Sequence, residues 1–89
     1  MRYVVELETR ARREFFNLAT DVQEAIADVI DSLEINPRPP GAKALTGRGG
    51  YRVRKGHYRV LYTVEDRART VRIYRIGHRQ VPFPIPFAV

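Results

Sequence analysis

The chain has 89 residues and carries 16 lysines and arginines against 10 aspartates and glutamates, a formal net charge of +6. That length suits one domain near the lower end of the usual range, burying a little over about 60% of its unfolded surface around one modest core. With no cysteine, neither a disulfide scaffold nor thiolate chemistry is available. No apolar run approaches the roughly 18 residues of a membrane span. No signal-type apolar segment precedes the first charge, so the cytoplasm is the expected compartment. Acidic residues cluster before Asn36, whereas arginine dominates the second half. A basic face of this kind suits nucleic acid or an acidic protein partner, the competing reading being a generally basic solvated surface.

Tyr3 to Leu7 alternates as a short strand with Tyr3, Val5 and Leu7 on its buried face. Thr9 is placed to cap a first helix running to about Ala19, with Ala11, Phe15, Leu18 and Ala19 as its apolar stripe and Arg10, Arg12, Arg13 and Asn17 toward water. Asp21 and Glu24 have capping-box spacing at the start of a second helix, with Asp in place of the usual Ser or Thr. In that helix Val22, Ala25, Ile26, Val29, Ile30 and Leu33 recur at i, i+3, i+4. Asn36-Pro37 ends it, because a residue before proline is pushed out of the helical region. The helix pair is a hairpin whose apolar stripes require a sheet to cover them.

Pro37 to Gly41 reads as a stiff extended surface linker. Residues 42–50 follow as a flexible loop anchored by Leu45, with Gly47, Gly49 and Gly50 supplying backbone freedom. They do not form a phosphate cradle, since no helix follows to aim its N–H groups.

From Tyr51 the pattern is that of strands: Tyr51-Arg52-Val53-Arg54, a turn at Lys55-Gly56-His57, Tyr58 to Val64, a polar break at Glu65-Asp66-Arg67, then Val71 to Arg79. A two-residue turn at Lys55-Gly56 pairs Arg52 with Arg59, and one at Gly56-His57 pairs Arg54 with Arg59. Either register gathers Arg52, Arg54 and Arg59 on one face and Tyr51, Val53, Tyr58, Val60 and Tyr62 on the other. A three-residue turn would scramble the faces and is rejected. Like charges set opposite one another cost stability, so three arginines on one side of a hairpin suggest an anionic ligand. His57 is an exposed turn residue. After Arg79, residues 80–89 form an apolar tail with three prolines, which excludes a helix or a central strand.

The order strand, helix, helix, loop, three strands resembles the RelE/ParE superfamily of bacterial toxin–antitoxin toxins over nearly the whole chain. The resemblance rests on Lys43-Ala44-Leu45 with Gly47, Tyr51-Arg52-Val53-Arg54, Gly56-His57-Tyr58-Arg59-Val60-Leu61-Tyr62 and Ile76-Gly77-His78-Arg79. It implies an α+β fold over a single domain at 1–89, with a helical hairpin on a mainly antiparallel twisted sheet and the tail appended. The RelE branch, which these residues resemble more closely, implies a ribosome-dependent endoribonuclease that cuts messenger RNA by 2′-oxygen attack on the adjacent phosphate. It implies no metal and no cofactor, a RelB-like antitoxin as partner, and DNA contact only through the antitoxin complex. By position, Lys43, Arg52 and Arg54 are implied to hold the RNA backbone. Arg59 and Arg79 are implied to stabilise charge at the scissile phosphate, where a phosphorane is more negative than the diester.

The chain departs from the family where RelE toxins carry a tyrosine, and related toxins a histidine, a few residues beyond the Arg79 position. Here that stretch offers Phe83 and no titratable group. Arginine does not give up its proton at ordinary pH, so His78 is the remaining candidate for proton transfer, against a structural role at the strand end. Two further functions stay open: inhibition of DNA gyrase in the manner of ParE toxins, and a weakly active member that retains mainly antitoxin binding.

Overall fold

The computed structural model describes residues 2–46 and 49–78. Its elements are β1 (Val4–Leu7), α1 (Thr9–Phe16), α2 (Thr20–Ile35), β2 (Lys43–Ala44), β3 (Tyr51–Lys55), β4 (Tyr58–Glu65) and β5 (Thr70–His78). The five strands form one sheet in the order β1-β5-β4-β3-β2. β1 runs parallel to β5, and every other neighbouring pair is antiparallel. The fold is therefore the α+β arrangement expected, with a fifth strand added inside the expected loop. β2 arises because Lys43 and Ala44 lie beside Arg52 and Tyr51 and extend the sheet at its edge. Among the described residues no helix is long and apolar enough to cross a membrane.

The periodicity of α2 carries the core. Ile26, Val29 and Leu33 are buried against Val60, Tyr62, Val71, Ile73 and Ile76 of the sheet, with Val22 and Ile30 packed around them. Asn36 closes α2 in an extended conformation (φ −141°, ψ 104°), as the following proline demands. Neither expected side-chain cap forms. α1 starts after Glu8, α2 starts after Ala19, and neither has a capping hydrogen bond from its side chain. α1 also stops at Phe16, earlier than its apolar pattern suggests. The joint is instead held from α2, where the Gln23 side-chain amide donates to the carbonyls of Phe16 (3.2 Å) and Leu18 (3.1 Å). These accept bonds that the end of α1 would otherwise leave unmade.

The proline-rich connection, expected as a stiff surface linker, is a latch bound into the fold. Pro37 is buried, and its carbonyl accepts a hydrogen bond from the Tyr62 hydroxyl at 2.8 Å. Arg38 grips Asp66 with two bonds (3.2 and 2.9 Å), donates from Nε to the Tyr51 hydroxyl (2.8 Å) and lies over the Tyr51 ring. Tyr3 donates to the same carboxylate at 2.7 Å. One exposed aspartate thereby ties β1, the α2–β2 connection, β3 and the β4–β5 turn together. Its hydrogen bonds from Arg38 and Tyr3 hold the Asp66 carboxyl below its usual range.

Burial, and after it the neighbouring Tyr51, push the Tyr62 phenol up to about 12. A raised folded-state value stabilises the neutral phenol. That contribution is complete below the unfolded reference near 10 and is lost as pH climbs toward 12. Tyr62→Phe should cost about 1 kcal/mol at neutral pH through the unsatisfied Pro37 carbonyl. It should also reduce the loss of stability above about pH 10. Urea unfolding of both proteins across that range checks this, and identical alkaline profiles would contradict it.

Candidate anion-binding site

The β3–β4 hairpin adopts the Gly56-His57 turn. Lys55 faces Tyr58, Arg54 faces Arg59, Val53 faces Val60 and Arg52 faces Leu61. Gly56 has φ +58°, the left-handed conformation that hairpin turns need and glycine adopts without strain. Directly paired residues share a face, so this register sends Val53, Val60, Tyr51 and Tyr62 toward the helices and the arginines away from them.

Two cross-strand rows build the opposite face. In the first, Lys43 pairs with Arg52, Arg52 with Leu61 and Leu61 with Arg75. In the second, Arg54 pairs with Arg59 and Arg59 with Gly77. Arg52, Arg54 and Arg59 are thus brought together as the hairpin pattern suggested, and Lys43, implicated by the family resemblance alone, and Arg75 join them. Gly77 puts no side chain beside Arg59.

Arg75 escaped the sequence reading because of a bulge. The β4–β5 register shifts between Leu61 and Tyr62, so Leu61 faces Arg75 while Tyr62 faces Ile73. In a regular strand Ile73 and Ile76 would lie on opposite faces. The extra residue puts both in the core and turns Arg72 and Arg75 outward together. The available signal was the three-residue spacing of Ile73 and Ile76, which no unbroken strand can bury on one side.

Electrostatics marks the centre of this face. Burial, and then the charges of Arg52, Arg54 and Arg75, push the Arg59 guanidinium below its ordinary value. Arg38 shows the contrast, since its bonds to Asp66 and Tyr51 raise its value. Arg52 and Arg59 are half-buried, whereas Arg54 and Lys43 are exposed. The Nε of Arg52 is enclosed and has no hydrogen-bond partner among the described residues. Crowded cations of this kind suit a phosphate, whose oxygens accept several charge-assisted bonds at once.

The other expected site residues fall elsewhere. His78 pairs with Tyr58 and so projects from the helix side of the sheet. Its ring stacks on His57 (centroids 5.8 Å apart) and meets Tyr58 edge-on (5.1 Å). It is not gathered with the arginines. Arg79 and the tail at 80–89 lie outside the described residues.

These features define a small basic toxin-like fold with an arginine face, and the comparisons agree. The sequence pattern of the family described as "ParE toxin of type II toxin-antitoxin system, parDE" matches residues 5–82. Toxin RelG of Mycobacterium tuberculosis is 32% identical over 81 residues, covering 89% of this chain and 93% of RelG. The RelBE2 toxin–antitoxin complex of M. tuberculosis contains a chain that superposes with a TM-score of 0.79 at 32% identity, covering 89% of this chain and all of that one. The RelE–RelB complex of the archaeon Pyrococcus horikoshii gives 0.80 at 25% identity over 92% of this chain and all of its counterpart. An Escherichia coli RelE mutant gives 0.74 at 27% identity, covering 88% and 84%. The chain belongs to the RelE/ParE superfamily and is a toxin of the type II toxin–antitoxin class.

Because Arg59 is crowded by like charges, Arg59→Ala should change stability by no more than about 0.5 kcal/mol. Phosphate should raise the melting temperature of the wild type more than that of the variant at matched ionic strength, since a ligand stabilises only the form that binds it. A large drop in melting temperature on mutation would make Arg59 a structural residue.

Proposed function

We propose that this toxin is a ribosome-dependent mRNA endoribonuclease of the RelE kind, acting in the cytoplasm. The observation that carries the reading is the face on which Lys43, Arg52, Arg54 and Arg59 gather, with Arg59 already burdened by its neighbours' charge. A phosphate bound there relieves the crowding, and a pentavalent phosphorane relieves it further because it carries more negative charge. In the reaction the ribose 2′-oxygen bonds to phosphorus and the bond to the 5′-oxygen breaks. The 2′-proton passes to an acceptor and the departing oxygen gains a proton, leaving a 2′,3′-cyclic phosphate and a 5′-hydroxyl.

Arg59 stabilises the transferring phosphate, while Arg52, Arg54 and Lys43 hold the RNA backbone. Arg79 is assigned to the scissile phosphate by its position in the family pattern. Holding the 2′-oxygen in line with the leaving group removes a large part of the barrier without any base on the protein. Since His78 projects from the other face, the arginines act here by alignment and charge. The partners are the ribosome with its message, and a RelB-like antitoxin that silences the toxin and brings it to DNA only as a complex. Relatives crystallised as RelE–RelB complexes support that partner.

A second reading, inhibition of DNA gyrase, is favoured by the ParE pattern that the chain matches and by the placement of His78 away from the arginine face.

Purified toxin added to translating ribosomes should generate discrete cleavage ends by primer extension. Arg59→Ala should lower the rate by about 10²–10³, the scale of losing one charge-stabilising donor. His78→Gln should change it little. Ribosomes left intact, with supercoiling by gyrase blocked in parallel, would establish the second reading instead. Co-expression with an acidic antitoxin whose helix presents an apolar face should yield a stable complex and relieve toxicity. Cells that tolerate the toxin alone would contradict an obligate neutralising partner.

A further inference from the structure

We propose that Glu14 is a positioning residue for the arginine face, holding Arg75 so that its charge supports Arg59 without competing for the bound phosphate. This rests on the RNA-cleavage reading of the same face. β1 ends at Leu7, and the Glu8 N–H closes its ladder on the Ile73 carbonyl at 2.9 Å. Beyond that point α1 takes the place of a neighbouring strand. Glu14 accepts the Ile76 N–H on Oε1 at 2.8 Å and Nε of Arg75 on Oε2 at 2.9 Å. One carboxylate therefore fixes both the strand edge and the guanidinium beside it.

Arg75 is 6% exposed, so its charge depends on a counterion close at hand. It stands one row along from Arg59, on the same face, and its charge contributes to the lowered value of Arg59. The pair thereby has two effects. Glu14 keeps Arg75 from turning toward a ligand, and Arg75 keeps the Glu14 carboxylate from neutralising Arg59.

Both effects are separable by mutation. Glu14→Gln retains an oxygen for the Ile76 N–H but removes the charge, and it should lower kcat for cleavage of ribosome-bound message about ten-fold. KM should stay constant or fall, because the face becomes more positive. Arg75→Met should weaken binding of a fluorescent single-stranded RNA dodecamer about ten-fold, and adding Glu14→Gln should restore most of that loss. Arg75→Lys keeps the charge without the planar fork and should lower kcat with KM unchanged, which covers the case in which Arg75→Met fails to fold.

A pair with only a structural role would lower the melting temperature in every variant while leaving kcat and RNA affinity of the folded protein unchanged, and that result overturns the proposal. A fall in KM with unaltered kcat for Glu14→Gln overturns it too, since charge alone would then account for the effect. Silence of Arg59→Ala in both binding and cleavage would remove the arginine-face reading itself. Arg59-dependent cleavage that is indifferent to Glu14→Gln would remove only the positioning role.

Discussion

Successive residues of a strand point to opposite faces, so the pairing of β3 with β4 decides at once where the core and the charge lie. A slip of one residue along β4 would set Arg54 opposite Tyr58 and bring basic side chains against the apolar stripe of α2. The turn at Gly56-His57 prevents this slip, because its short span and the positive φ of Gly56 leave one register. Packing reinforces the choice. Tyr62 and Val60 are fully buried only when Arg59 and Leu61 face away. Core formation and assembly of the arginine face are therefore coupled, because any slip by an odd number of residues would exchange the two faces and lose both.

The five-strand sheet needs a second device to keep that separation across β5. Its sequence places Ile73 and Ile76 three residues apart, which a regular ladder would split between the two faces. The bulge opposite Leu61 and Tyr62 resolves the conflict by inserting one residue, at the cost of a locally interrupted ladder. It also carries Arg75 to the charged side, where Glu14 meets it. A local irregularity of backbone thus adds a fifth cation to the face and recruits α1 as its support.

These two devices differ in how far a sequence reveals them. Alternation around Tyr58–Tyr62 and the helical stripe of α2 are visible because each is a repeated local pattern, and both the hairpin faces and the core of α2 follow from it. Arg75 was not visible, because its face depends on a parity change within β5 that only pairing with β4 imposes. β2 was hidden for a related reason: Lys43 and Ala44 have little strand character and pair only because β3 presents an open edge. The helix starts differ from the capping signatures at Thr9 and Asp21, because both helices begin one or two residues earlier, after Glu8 and Ala19, without a side-chain cap. Gln23 reaching back to the Phe16 and Leu18 carbonyls instead holds the C-terminal end of α1. Pro37 and Arg38 look like surface linker residues, yet Tyr62 and Asp66 lie 25 and 28 positions away and bind them.

The arginines also show why residue type alone does not identify a site. Arg38 is exposed and Arg59 half-buried, and their electrostatic surroundings pull in opposite directions. Arg38 has a carboxylate in bidentate contact and is part of the scaffold. Arg59 has the charges of Arg52, Arg54 and Arg75 near it, and these add to burial in lowering its value. The same crowding limits the chemistry proposed for it. Guanidinium groups stay protonated at ordinary pH, so a face built from them aligns and stabilises a phosphate but does not remove the 2′-proton. Proton transfer must then involve water, the RNA, the ribosome or a residue off this face. The proposed ribosome dependence accords with that division, in which the toxin supplies charge and geometry and its surroundings complete the reaction.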